Sequence, residues 1–146
     1  MKLVILHGPP KSGKTTVLRR LVQMLTVPEG GIAAFLCQKD KNRFDRSTDF
    51  TIPLLCNGKL VVISSYGDSA AEMEDPYDNY NGYADVYVCA AHRDGSSAAL
   101  VQTWEREHTD ARKMEKHKES ESRQTIADQQ SAATLYEAVR EAVGLP

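Results

Sequence analysis

The chain has 146 residues, 41% hydrophobic and 26% charged, with a formal net charge of −2. That length suits a single domain, residues 1–146, with one core, and the charge gives no general electrostatic case for nucleic acid. No apolar run approaches the roughly 20 residues that span a bilayer, and the N-terminus lacks a signal-peptide layout, so a cytoplasmic protein off the membrane is expected.

Lys2-Leu3-Val4-Ile5-Leu6-His7 is a short apolar run suited to a buried parallel strand. It is followed by Gly8-Pro9-Pro10-Lys11-Ser12-Gly13-Lys14-Thr15, which reads G-x-x-x-x-G-K-T. Glycines let backbone N–H groups turn inward around a phosphate chain where a Cβ would clash. Lys14 can set an ammonium on the β- and γ-phosphates, and the Thr15 hydroxyl can coordinate Mg²⁺. From Thr16, Val17, Leu18, Leu21, Val22 and Leu25 recur with a helical period. The loop therefore falls between a strand and a helix N-terminus, where the helix dipole adds to an anion site. Gly8, Pro9, Pro10, Lys11, Ser12, Gly13, Lys14, Thr15 and Thr16 are the expected nucleotide contacts.

Val27-Pro28-Glu29-Gly30-Gly31 stops the helix, and Ile32 to Cys37 predicts a second strand. Gln38 to Asp49 is polar and reads as a surface loop. Phe50–Cys56 and Leu60–Ser64 flank Asn57-Gly58, a strong hairpin signal. Ser69 to Tyr83 predicts a short helix and a loop. Ala84–Ala91 is another buried strand. Ser96–His108 places Ala99, Leu100, Thr103 and Trp104 on one helical face. Glu105 to Arg123 is charged throughout and reads as a solvated helix, with ion pairs such as Arg112 with Glu115 and Lys116 with Glu119. A lid bearing Arg106, Arg112 and Arg123 is the other reading. Ala132, Leu135, Tyr136, Val139, Ala142 and Val143 give a terminal amphipathic helix stopped at Gly144. Cys37, Cys56 and Cys89, each in an apolar run, read as reduced core thiols. Strands alternating with helices argue for an α/β fold: a mostly parallel sheet with helices on both faces and an antiparallel hairpin near residues 50–64.

In its first 25 residues the chain resembles the P-loop NTPase superfamily, specifically the small single-domain members. The strand, Asn-Gly turn, strand and glycine turn are similar to the second and third strands of Ras-like GTPases, where the third strand ends in D-x-x-G. Here the matching stretch is Ser64-Ser65-Tyr66-Gly67, followed by Asp68. The resemblance implies that Gly67 offers its N–H to a γ-phosphate and that Asp68 supplies the carboxylate near Mg²⁺. The other reading of Asp68 is a cap of the next helix. The base-reading N-K-x-D motif is missing in the right place: Asn42-Arg43-Phe44-Asp45 precedes the hairpin, and Ala91-His92-Arg93-Asp94 keeps only the aspartate. ATP is therefore favoured, with GTP the alternative. Arg93, past the end of a predicted central strand, is a candidate for stabilising phosphoryl charge.

Three functions follow. The first is Mg²⁺-dependent hydrolysis of a nucleoside triphosphate, with catalytic candidates Lys14, Asp68 and Arg93, metal candidates Thr15 and Asp68, and a switch-like output. The output would go to a protein partner or a homo-oligomer, with Tyr77, Tyr80 and Tyr83 as contact candidates; packing on the sheet is their other reading. The second is a small-molecule or nucleotide kinase, with Asp40, Asp49 and Asp68 as candidate carboxylates. The third is a nucleotide-binding module without turnover.

Overall fold

A computed structural model describes residues 1–46, 48–108 and 110–146; Ser47, in the polar stretch after the second strand, and Thr109, in the charged stretch, lie outside the described residues. The elements run β1 (Lys2–Gly8), α1 (Lys14–Thr26), β2 (Ala33–Phe35), α2 (Gln38–Arg46), β3 (Thr51–Cys56), β4 (Lys59–Ser64), α3 (Ala70–Tyr80), β5 (Val86–His92), α4 (Gly95–Glu107), β6 (Arg112–Glu115) and α5 (Glu121–Ala142).

The strands form one mixed sheet in the order β2-β3-β4-β5-β1-β6. β4–β5, β5–β1 and β1–β6 are parallel; β2–β3 and β3–β4 are antiparallel. The hairpin is the expected one. Asn57 and Gly58 both take positive φ, 51° and 73°, as a tight turn matched to strand twist requires. β3 carries Pro53, opposite Val62 of β4, and β2 reaches only Leu54 to Cys56 on its other side, so the missing N–H interrupts no β2 ladder.

Residues alternate across the sheet, and both faces are apolar. Val4, Leu6, Ile52, Leu54, Val61, Ile63, Val86 and Val88 pack with α1 and α5. Leu3, Ile5, Val62, Tyr87 and Cys89 pack with α3 and α4. The periodic residues of α1 (Val17, Leu18, Leu21, Val22 and Leu25) are all fully buried, as are Ala132, Val139 and Val143 of α5 or its cap. No helix among the described residues is long and apolar enough to cross a membrane.

Four expectations are corrected. Gln38–Arg46 is a helix rather than a loop; its one buried residue, Phe44, anchors it edge-on to Phe50 with ring centroids 5.0 Å apart, and a single apolar residue leaves no periodicity to detect. The charged stretch is neither a helix nor a lid throughout: Arg112–Glu115 is an edge strand on β1, where charge blunts further pairing, and α5 begins at Glu121. Arg112 pairs with Glu141 and Lys116 with Asp128, not with the near neighbours expected. In α4 the buried residues are Ser97, Val101 and Trp104, while Ala99 and Thr103 are exposed; Trp104 is drawn in by stacking on Tyr77, centroids 3.9 Å apart. Of the cysteines, Cys56 and Cys89 are buried but Cys37 is exposed. Among the tyrosines, Tyr77 is core, while Tyr83 is exposed.

Candidate functional site

The carboxyl ends of β4, β5 and β1, three consecutive strands, meet in a cleft of about 480 Å³. Open α/β sheets bind ligands at this end. The loop after β1 supplies Pro10 to Thr16, the turn after β4 supplies Ser65, Gly67 and Asp68, and β5 supplies Ala90 and His92. Segments from three separate parts of the sequence thus form one wall.

The loop's shape follows from its glycines. Gly13 caps α1 with φ 94° and no side-chain cap, and no acidic residue stands in the helix's first turn. With no side-chain cap at Gly13 and no acid in the first turn, the start of α1 is attractive to an anion. Lys11 also takes a left-handed φ of 60°. A Cβ at Gly8 would overlap the Lys116 carbonyl, and one at Gly13 would lie 2.6 Å from Gln124 Nε2 and 2.7 Å from Asp128 Oδ1. A Cβ at Gly67 would overlap the Ala90 carbonyl, so only glycine lets the turn after β4 cross the end of β5.

Lys14 is 8% exposed, and its Nζ donates to the carbonyls of Gly8 (3.1 Å) and Pro9 (2.9 Å). These two residues thus shape the site from beneath rather than line it. Burial holds the Lys14 ammonium below the usual lysine range; Lys116 pushes the same way and Asp68 opposes. The Thr15 hydroxyl donates to Asp49 Oδ1 at 3.3 Å, and Ser65 Oγ donates to the same oxygen at 3.0 Å. Asp49 reaches this end of the sheet because it precedes β3, which runs antiparallel to β4 and so starts where β4 ends. Asp68 stands at the mouth with its carboxylate 3.1 Å from His92 Nε2 and its side chain 73% exposed.

A second, buried polar group supports the loop from behind. Lys116, 2% exposed, pairs with Asp128 at 3.1 Å. Gln124 donates to Asp128 Oδ1 at 2.6 Å and to the Ser12 carbonyl at 3.1 Å. The Lys116 N–H donates to the His7 carbonyl at 2.7 Å, which extends the β6 pairing to the base of the loop. Burial lowers the His7 imidazole's affinity for its proton, with the Lys113 charge acting the same way.

Of the residues singled out from sequence, Pro10 to Thr16, Gly67 and Asp68 come together. Arg93 does not join the cleft lining: its guanidinium is held by Glu115 at the end of β6. Asp40 lies on α2, with its carboxylate by the Cys37 thiol at 3.2 Å. Sequence reasoning named Asp49 only as an acceptor-side carboxylate and missed its place beside Thr15. It placed Lys116 in a solvated pair with Glu119 and missed Gln124 and Asp128, which lie in a polar run of the sequence with nothing local to mark them. Groups of three or more His, Cys, Asp or Glu side chains able to hold a metal are absent among the described residues. Comparison with known proteins finds no matching family model, no matching curated protein and no matching solved structure.

Proposed function

We propose that the cleft binds a nucleoside triphosphate with Mg²⁺, ATP ahead of GTP, and that the protein hydrolyses it in a switch-like cycle, as a P-loop NTPase. The observation that carries this reading is the convergence on one cleft of the Gly8–Thr15 loop, with its buried ammonium and uncapped helix start, and the Gly67–Asp68 turn. Lys14 offsets phosphate charge, and the N–H groups opening α1 bind phosphate oxygens. The oxygen donors Thr15 and Asp49 suit a hard cation such as Mg²⁺; when bound, it neutralises charge on the phosphates. Gly67 offers a backbone N–H at the far side of the cleft. Asp68, kept in place by His92, orients the attacking water and accepts its proton.

Thermal shift with ATP, GTP, dATP and ADP, each with and without Mg²⁺, tests binding; phosphate release with no acceptor present tests hydrolysis. Asp68→Asn should cut phosphate release on the order of 100-fold while leaving triphosphate affinity nearly unchanged. An equal loss in both would remove Asp68 from the chemistry. The second reading, phosphoryl transfer to a small acceptor, is favoured by one observation: Asp49 also lines a neighbouring cleft.

A further inference from the structure

The peptide that joins Ser12 to Gly13 lies between the cleft and α5. On one side Ser12, Gly13 and Lys14 line the cleft. On the other, Gln124 and Asp128 of α5 stand where a Cβ of Gly13 would go, and neither lines the cleft. The Ser12 carbonyl points to the α5 side, where it accepts from Gln124 Nε2 at 3.1 Å. A trans peptide is planar and sets its C=O and N–H in opposite directions. The Gly13 N–H is therefore turned away from α5 and towards the cleft. The Ser12 side chain does not hold this plane: the residue is fully buried, yet its Oγ has no hydrogen-bond partner among the described residues.

Gln124 is itself fixed. Its Nε2 carries two hydrogens; one goes to the Ser12 carbonyl and the other to Asp128 Oδ1 at 2.6 Å. Both neighbours are acceptors, so a flipped amide would lose both bonds. Asp128 is held in turn by the buried Lys116 at 3.1 Å. Donation to the Ser12 carbonyl also polarises the peptide and makes its N–H a better donor.

We propose that Gln124 is a positioning residue for anion binding: it turns the Ser12–Gly13 peptide so that the Gly13 N–H faces the cleft and donates to a ligand phosphate. A side chain 112 positions along the chain from Ser12 thereby sets a contact of the loop. The proposal rests on the nucleotide reading for what carries the phosphate, but not for the direction of the peptide.

The test is calorimetric titration of the full chain with Mg²⁺ and a non-hydrolysable ATP analogue, and separately with tripolyphosphate. Proton–nitrogen correlation NMR follows the Gly13 amide. In the wild type the Gly13 amide proton should move downfield on binding, as a charge-assisted hydrogen bond requires. Gln124→Met removes the donor at similar length; it should weaken binding about tenfold and shrink the Gly13 shift. Gln124→Lys returns an N–H donor to the carbonyl and should restore that shift. Circular dichroism melts verify folding, and Gln124→Glu, which keeps the shape without the donor, stands in for the Met variant if that one does not fold. Wild-type affinity without the donor overturns the inference. So does weaker binding with an unchanged Gly13 shift, because Gln124 then acts on loop stability alone, and so does a shift that Gln124→Lys fails to restore. Binding of tripolyphosphate but not of the analogue removes the nucleotide reading, while the Gly13 readout made with tripolyphosphate still decides the role of Gln124. Binding of neither overturns both.

Discussion

Lys14 and Lys116 are both buried beside the same loop, at 8% and 2% exposure, yet they are handled in opposite ways. Behind the loop, Lys116 is paired with Asp128, and Gln124 ties that pair to the backbone of Ser12. In front, Lys14 donates to the carbonyls of Gly8 and Pro9 and forms no ion pair with a described residue. A buried charge kept for structure is compensated within the fold. One held by carbonyl dipoles, with no ion pair, keeps its affinity for an anion. The two sides of the loop therefore divide the work: α5 and β6 hold the backbone, and the open side carries the charge.

The largest expected effect lies behind the loop. Lys116→Met leaves the Asp128 carboxylate buried and unpaired and should cost about 3–5 kcal/mol of stability by urea denaturation. Lys116→Met/Asp128→Leu should recover most of that loss, because no isolated charge remains. If the double variant is no more stable than the single one, the pair is not the source of the effect.

Lys14→Ala should do the reverse. It should change stability little and weaken nucleotide binding on the order of 100-fold; wild-type affinity in this variant would end the contrast between the two lysines. The same lysine predicts a pH dependence. Burial depresses its folded-state value below that of the unfolded chain, so between the two values the unfolded state binds more protons and the stability of the free protein rises with pH. A triphosphate favours the charged ammonium, so binding above the free-protein value takes up a proton and affinity falls as pH rises through it. Calorimetry in buffers of different ionisation enthalpy reads this uptake, and proton release on binding would contradict it.

The smallest effect belongs to the oxygen pair at the edge of the cleft. Thr15→Ala and Asp49→Asn should each weaken the Mg²⁺ dependence of nucleotide binding about tenfold, with less effect on the metal-free nucleotide. Equal losses with and without Mg²⁺ would show that these oxygens act on the loop rather than on a cation.

The loop and α1 are legible in sequence because their signals are local. Gly8, Gly13, Lys14 and Thr15 fall within one short segment, and Val17, Leu18, Leu21, Val22 and Leu25 repeat on one helical face. The Asn57-Gly58 turn is legible for the same reason, since its left-handed residues define the hairpin. β6 and the first turns of α5 are not, because Arg112–Glu115 and Glu121–Arg123 are as polar as the loop between them. β6 becomes a strand by pairing with β1, more than 100 residues away.

By itself, then, the sequence determines the parts whose cause is a residue's own backbone preference or its spacing to near neighbours: the glycine loop, the amphipathic helices, the tight turn and the buried strands. Only the tertiary structure decides which charges meet. Lys116 is three residues from Glu119 but pairs with Asp128, because the chain turns into α5 before Glu119 can reach it. Asp49 meets Thr15 because β3 runs antiparallel and begins where the neighbouring strand ends. Charge pairing acts through space over a few ångströms, and the chain's path through the sheet sets those distances.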